Sequence, residues 1–295
     1  MNLARLLAPR SIAIVGASGR PGSYGNQAVA NLAGAGFAGK VFGVHPTATS
    51  VHGVPCVPKL ADLPLAPDAV VIATPAATVP AIVAEAGALG CGGAVVFAAG
   101  FAEVSGGAGL QEDLRAAAAA HGFPVCGPNG NGIVSVRHRA PMWGDSCTPR
   151  RAGPIALISQ SGNVAVNALG STRALRLHTV VSCGNQAVLD AADYLAAVAD
   201  LEDVRAVALY LEAEGSGAKL AEALARCADQ GIGVTVLKAG SSARGAAAAT
   251  AHTGSIAGDA RVFRALVEEA GGAWARNPHE LLELAKALAY GRRTP

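Results

Sequence analysis

The chain alternates short β-branched runs with longer stretches in which apolar residues recur every three or four positions. "SIAIVG" (11–16), "KVFGVHP" (40–46), "DAVVIATP" (68–75), "GAVVFAAG" (93–100) and "FPVCGPN" (123–129) read as buried strands. Helical spacing runs through "NQAVANLAGAGF", "VPAIVAEAGALG" and "GLQEDLRAAAAAHG" between them. A break rich in proline and arginine follows at 136–153. The alternation then restarts, with strands at 154–162, 178–185, 206–213 and 233–240. The helical patterns of this half are "NVAVNALGSTRAL", "DAADYLAAVAD", "GAKLAEALARCADQ" and "HELLELAKALAYG". Strands separated by helices predict βαβ units on parallel sheets. The expected fold class is therefore α/β: two consecutive doubly wound domains, 1–135 and 154–295, joined by a linker at 136–153. Ligands of such sheets sit beyond the carboxyl ends of the strands.

Composition supports two domains and narrows the class. The chain has 295 residues, 51% of them hydrophobic and only 15% charged, with 37 glycines. That describes small-residue helices packed closely on sheets and excludes a disordered or fibrous chain. No apolar stretch reaches the ~18 residues of a membrane span. The opening "MNLARLLAPRSIAIVG" is broken by Arg5, Pro9 and Arg10 and leads into a strand, unlike a signal peptide. A cytoplasmic protein without a membrane partner is expected. The six cysteines are dispersed without any C-x-x-C, so reduced thiols are expected, with neither a metal site nor a disulfide framework.

The net charge of +2 hides an asymmetry. From Met1 to Ala61 there is no acidic residue, while Arg5, Arg10, Arg20, Lys40 and Lys59 are basic. These residues are scattered and lack interleaved aromatics, which fits an anionic small molecule better than nucleic acid.

The candidate chemistry begins with "GASGRPGSYG" (16–25), a glycine-rich turn between the first strand and a helix. Such a turn lets backbone N–H groups approach a phosphate. Its spacing, Gly16, Gly19, Gly22, departs from G-x-G-x-x-G, and the second strand ends in "VHP" with no acid to hold a ribose diol. A nicotinamide cofactor is thereby disfavoured. A phosphate-rich nucleotide that needs no diol clamp, such as coenzyme A, fits better, and a turn chosen only for packing stays open.

The motifs of the second half occur in a fixed order: "LISQSG" (157–162), "SCGNQ" (182–186), "LYLE" (209–212), "LKAGSS" (237–242) and "AHTGSIAGD" (251–259). With "GPNGNG" (127–132) they resemble the nucleoside-diphosphate-forming acyl-CoA synthetases, from Ser11 to about Ala289. That family includes ADP-forming acetate–CoA ligase and the α subunit of succinyl-CoA synthetase. The resemblance implies a Rossmann-like CoA-binding domain followed by a flavodoxin-like CoA-ligase domain carrying a phosphohistidine. His252 matches that histidine, and Glu212 the carboxylate that orients it. A carboxylate on one ring nitrogen fixes the tautomer and leaves the other as nucleophile. Ser161, Gly162 and Asn163 at a helix start, with Thr253 and Gly254, are the expected phosphate-binding residues. Coenzyme A is expected on Gly16, Ser18, Gly19, Arg20, Pro21, Gly22 and Ser23, with His45, Thr74, Pro75 and Asn129 around it. The family's usual N-P-K is His45-Pro46-Thr47 here.

The implied reaction is reversible: acyl-CoA, phosphate and ADP (or GDP) give acid, CoA and ATP (or GTP). The sequence holds no G-x-x-x-x-G-K-[ST] for the nucleotide. The nucleotide and Mg²⁺ are therefore expected on an ATP-grasp β-type subunit, in a hetero-oligomer. Two other classes are the rivals: a CoA-binding regulatory protein that has lost turnover, and the NAD-dependent oxidoreductase.

Overall fold

The computed structural model describes residues 1–147, 151–240 and 260–291. The chain divides into two compact units, Met1–Pro149 with Ser182–Leu189, and Arg150–Val181 with Asp190–Pro295.

The first unit is built on β1 (Ser11–Val15), β2 (Lys40–Val44), β3 (Ser50–Val51), β4 (Val54–Val57), β5 (Ala69–Ile72), β6 (Ala94–Val96) and β7 (Val125–Cys126). They lie in the order β3-β4-β2-β1-β5-β6-β7, parallel except for the β3–β4 pair. Ile12, Ala13, Ile14, Val70, Val71, Ile72, Ala94, Val95 and Val96 are fully buried. Central parallel strands are covered on both faces, which is why they read as unbroken apolar runs rather than as alternation. Helix α1 (Ala4–Leu7) precedes β1, and α2 (Tyr24–Ala35), α3 (Val79–Ala88) and α4 (Ala108–Ala119) make the crossovers. The strand order reverses between β1 and β5, so their carboxyl-end loops open a crevice there.

The second unit has β10 (Ile155–Ser159), β11 (Leu177–Ser182), β12 (Ala206–Leu211), β13 (Gly233–Lys238) and β14 (Ala273–Trp274), ordered β14-β13-β12-β10-β11. That is the flavodoxin order, with its reversal between β10 and β12. Helices α5 (Gly162–Gly170), α6 (Ala191–Val198) and α7 (Gly217–Asp229) connect these strands, and helices Ala260–Glu269 and Pro278–Tyr290 follow. Ile155, Ala156, Leu157, Ile158, Ala206, Val207, Ala208, Leu209 and Val236 have no exposed surface.

The expected α/β class and the two doubly wound domains are found. The boundaries differ in two places. The segment 136–153, read as a linker, contains β9 (Ala140–Trp143), which pairs antiparallel with β8 (Gly132–Ser135) in the first unit. Prolines and arginines disguised this hairpin: Ile133, Val134, Val136, Met142 and Trp143 are buried, and the arginines 137 and 139 sit exposed in its turn. Asn31 of α2 ties it down, donating to the carbonyls of Trp143 (2.9 Å) and Asp145 (2.8 Å). The second difference is "SCGNQAVL" (182–189), which belongs to the first unit although it follows a strand of the second. Its backbone bonds to the GPN turn, with Asn185 N–H on the Pro128 carbonyl (2.8 Å) and Ala187 N–H on that of Gly127 (3.1 Å).

Among the described residues no helix is long and apolar enough to cross a membrane. None of the six cysteines is in a disulfide. Burial pushes the thiols of Cys91, Cys147 and Cys227 up to about 11, so they are neutral packing groups rather than nucleophiles.

Candidate functional site

The crevice of the first unit is made by the loops after β1 and β5. Gly16 has φ +85°, and a Cβ there would stand 2.8 Å from the Ala73 carbonyl oxygen and 2.9 Å from Cγ2 of Thr74. Only glycine allows the two loops to meet this closely. The next loop residues fold on themselves. Arg20 N–H donates to Ser18 Oγ (3.0 Å), and Ser23 Oγ donates to the Arg20 carbonyl (2.9 Å). Ser23 also caps α2, accepting from Asn26 N–H (3.3 Å). Gly19, Arg20, Pro21 and Gly22 are exposed, and a Cβ on Gly19 or Gly22 would meet nothing within 4 Å. The loop is therefore preorganised, with open space on its outer side where a phosphate can approach the backbone. Thr74 accepts a hydrogen bond from the Thr78 hydroxyl (2.8 Å), and Pro75 is exposed beside it.

His45 follows β2, and its Nδ1 accepts from the N–H groups of Thr47 (3.2 Å) and Ala48 (2.9 Å). A ring nitrogen that accepts twice carries no proton, so the neutral ring is protonated on Nε2, the atom left for a ligand. His52 and Asn26 were not singled out from the sequence. The Asn26 amide donates to the Ser18 carbonyl (3.1 Å) and lies 2.7 Å from His52 Nε2, so both belong to this rim.

Asn129 follows β7 at the same carboxyl end of the sheet, with its N–H on the Ala98 carbonyl (2.9 Å). Its backbone is left-handed (φ 57°), and its amide donates to Asn185 Oδ1 (3.2 Å). The Asn185 amide in turn donates to Glu103 and to Gln111 Oε1 (3.1 Å). Burial pushes the Glu103 carboxyl up. The Asn185 amide and the N–H groups of Gly100 and Phe101 outweigh this and hold it below the ordinary value. Asn185 lies in the quoted "SCGNQ", but its place in the first unit was not legible.

In the second unit Glu212 and the Ser161–Asn163 turn lie at the β10–β12 reversal. Glu212 follows β12, and Ser161 is the N-cap of α5 after β10. One side chain joins the two loops. Gln160 Oε1 accepts from Glu212 N–H (2.6 Å) and Ala213 N–H (2.8 Å), and its Nε2 donates to the Ala213 carbonyl (2.8 Å). The Ser161 hydroxyl makes no capping bond to the helix; Ser159 Oγ turns the chain instead, accepting from Ser161 N–H (3.1 Å). The first N–H groups of α5, those of Gly162 and Asn163, thus start a helix whose N-cap side chain leaves them uncapped. Below Glu212 lies Lys238, only 2% exposed at its side chain, donating to the Glu212 and Ala239 carbonyls (both 2.9 Å) and 3.6 Å from Glu214. A buried lysine has to be paired. The "LKAGSS" motif marks the end of β13 in the sequence, but its spacing does not carry the burial of the ammonium under Glu212. His252, Thr253 and Gly254 lie outside the described residues.

Residues 10–135 match the CoA binding domain family, and residues 152–288 match the succinyl-CoA ligase like flavodoxin domain family. The α subunit of acetate–CoA ligase [ADP-forming] I of Pyrococcus furiosus is 33% identical over 298 residues. The chain joins a CoA-binding domain to a succinyl-CoA-ligase-like flavodoxin domain and is similar over nearly its whole length to ADP-forming acetate–CoA ligases. The acetate–CoA ligase [ADP-forming] I of Archaeoglobus fulgidus is 34% identical over 292 residues. The solved dinucleotide-forming acetyl-coenzyme A synthetase 1 of Ca. Korarchaeum cryptofilum, in complex with phosphate and ADP, superposes with a TM-score of 0.92 at 34% identity. The alignments cover 98%, 98% and 99% of this chain, but 64%, 42% and 63% of the Pyrococcus, Archaeoglobus and Korarchaeum chains. The chain thus spans less than two thirds of each of these relatives, and what it shares with them is the CoA-binding and ligase-domain part.

Proposed function

We propose that this chain is the α-type part of an acid–CoA ligase that runs through a phosphohistidine at His252. Acyl-CoA and phosphate react first: a phosphate oxygen attacks the thioester carbonyl, the C–S bond breaks, and CoA leaves as a thiol. A nitrogen of His252 then attacks the phosphorus of the acyl phosphate and displaces the carboxylic acid. Finally the terminal oxygen of ADP (or GDP) takes the phosphoryl group and the P–N bond breaks. Each step is reversible.

The observation that carries this reading is the joint at Gln160, which locks the Glu212 loop to the start of α5. A carboxylate to orient an imidazole and a helix N-terminus to receive a phosphoryl group are thereby held side by side at a switch point. Glu212 is assigned the orientation of His252. Ser161, Gly162, Asn163, Thr253 and Gly254 are assigned the phosphoryl oxygens. CoA is assigned to the loop 16–23, where the open outer side and the absence of an acid after β2 both favour it over NAD. The nucleotide and Mg²⁺ are assigned to an ATP-grasp subunit, a reading supported by the α-subunit designation of the Pyrococcus relative.

Two measurements test this. Arg20 has an exposed side chain at the loop tip, and Arg20→Ala should raise the Kd for CoA about tenfold, equivalent to about 1.4 kcal/mol. Unchanged affinity by calorimetry would remove Arg20 from the CoA site. Mixed with an ATP-grasp partner, the chain should form ATP from ADP, phosphate and a small acyl-CoA. Robust ATP formation by the 295-residue chain alone would overturn the two-subunit assignment.

A further inference from the structure

The basic residues of the acid-free stretch 1–61 do not gather at the glycine loop. Arg20 belongs there, but Arg5, Arg10 and Lys40 line a cavity of about 990 Å³ elsewhere in the first unit. Ser11 and Lys40, the first residues of β1 and β2, border it, and so does Asp68, which immediately precedes β5. The cavity therefore lies at the amino-terminal end of the sheet, whereas the glycine loop lies at the carboxyl end. A five-residue strand separates the two by about 17 Å. They are distinct sites.

The turn between β8 and β9 completes the lining with Arg137, His138 and Arg139. Among the described residues, Asp68 is the one carboxylate of the lining, and it is already engaged. Its Oδ1 accepts from Arg5 Nε (2.7 Å) and its Oδ2 from the backbone N–H of Arg10 (2.9 Å). Arg5 is also spent on structure, donating to the carbonyls of Gly90 (2.9 Å), Ala66 (3.3 Å) and Pro67 (3.2 Å). Arg10 Nε lies 3.7 Å from Asp68 Oδ2, but it shares that single carboxylate with Arg5 and its side chain is 90% exposed; Lys40 and Arg139 are exposed as well. Like charges drawn around one concavity repel each other, a cost that a bound anion removes.

A solvated basic surface would be the plain account of exposed arginines. Two features argue for more. The charges surround a cavity, and its volume falls in the range of small-molecule sites, ~300–1,000 Å³. The lining also includes Pro9, Phe37 and Leu65, an apolar component that a bare inorganic ion does not use. Guanidinium forks and an ammonium suit phosphate oxygens, and an aromatic wall suits a flat ring. We infer that this cavity is a second anion site of the chain, taking a phosphorylated small molecule with an apolar ring system, of the nucleotide class.

The test uses the 295-residue chain and ADP without magnesium at low ionic strength, with saturating CoA present, read by calorimetry. Wild type should bind ADP, and Arg10→Gln/Lys40→Gln/Arg139→Gln should lose at least ~tenfold in affinity while keeping its CoA affinity. All three side chains are exposed, so the folded state should survive, and an unchanged Tm checks it. Should the triple variant misfold, Arg10→Lys/Arg139→Lys should retain ADP binding while Arg10→Gln/Arg139→Gln weakens it. Arg20→Ala should leave ADP binding intact, and this arm separates the inference from the CoA assignment. Equal ADP affinity in wild type and the folded triple variant would overturn the site, as would ADP binding that Arg20→Ala abolishes. Pyrophosphate binding as tightly as ADP would overturn the nucleotide class.

Discussion

Replacing His252 by alanine should abolish phosphoryl labelling of the chain from acyl-CoA with radioactive phosphate, or from ATP and Mg²⁺ with the partner present. Alanine offers no ring nitrogen, so no covalent intermediate forms and turnover should fall by ~10⁴-fold or more. The wild-type label should be lost in acid and kept in base, as expected of a phosphorus–nitrogen bond and unlike an acyl phosphate. The chain has seven histidines, so the result has to be specific to one of them. His178, which is buried, and the exposed His121 are suitable controls and should label normally when substituted. Glu212→Gln keeps the backbone bond to Gln160 and removes only the charge, so it should lower labelling without unfolding the protein. A His252→Ala protein that labels fully would end the assignment.

The second large effect is expected at Gly25, where α2 passes over the glycine loop. A Cβ there would sit 1.9 Å from the Gly16 carbonyl oxygen, closer than any real contact. Gly16 cannot yield, because it is itself pressed against Ala73 and Thr74. Gly25→Ala therefore has to push α2 away from the loop. We expect a loss of about 3 kcal/mol in stability, the upper part of the usual range for overpacking. CoA affinity should fall more than ~100-fold, because the helix start and the loop no longer share one geometry. Gly34→Ala is the control: it lies in the same helix with open space around it and should stabilise by about 0.5–1 kcal/mol. A Gly25→Ala protein with wild-type Tm and wild-type CoA affinity would show that the close approach is dispensable.

The sequence was legible where one residue type answers to one local cause. Buried parallel strands such as Ile12–Ile14 and Val70–Ile72 show as apolar runs because both faces are covered. It was less legible where a strand is short or carries proline. The β3–β4 hairpin holds Pro55, the β8–β9 hairpin holds Pro141, and β14 has two residues, too few for a period. The Glu212 position was readable from its motif, and the crevice it occupies follows from the strand order. The groups that fix it were not readable. Gln160 and Lys238 act through backbone atoms across neighbouring strands, and such pairings belong to the sheet rather than to any stretch of chain. The same reason hid Asn185, whose motif follows a strand of the second unit yet belongs to the first. Unit membership is a long-range property, set for that segment by Gly127 and Pro128.

That membership has a consequence for the order in which the protein is made. A ribosome that has released residues 1–149 has not released a finished first unit. The partners of the Gly127 and Pro128 carbonyls are Ala187 and Asn185, and the N–H of Leu189 closes on Val125 (3.4 Å). Those groups emerge only after β10, α5 and β11 of the second unit have been synthesised. The nascent chain has to carry an open seam at β7 through some forty residues of synthesis, and the last stitch of the first unit is sewn from inside the second.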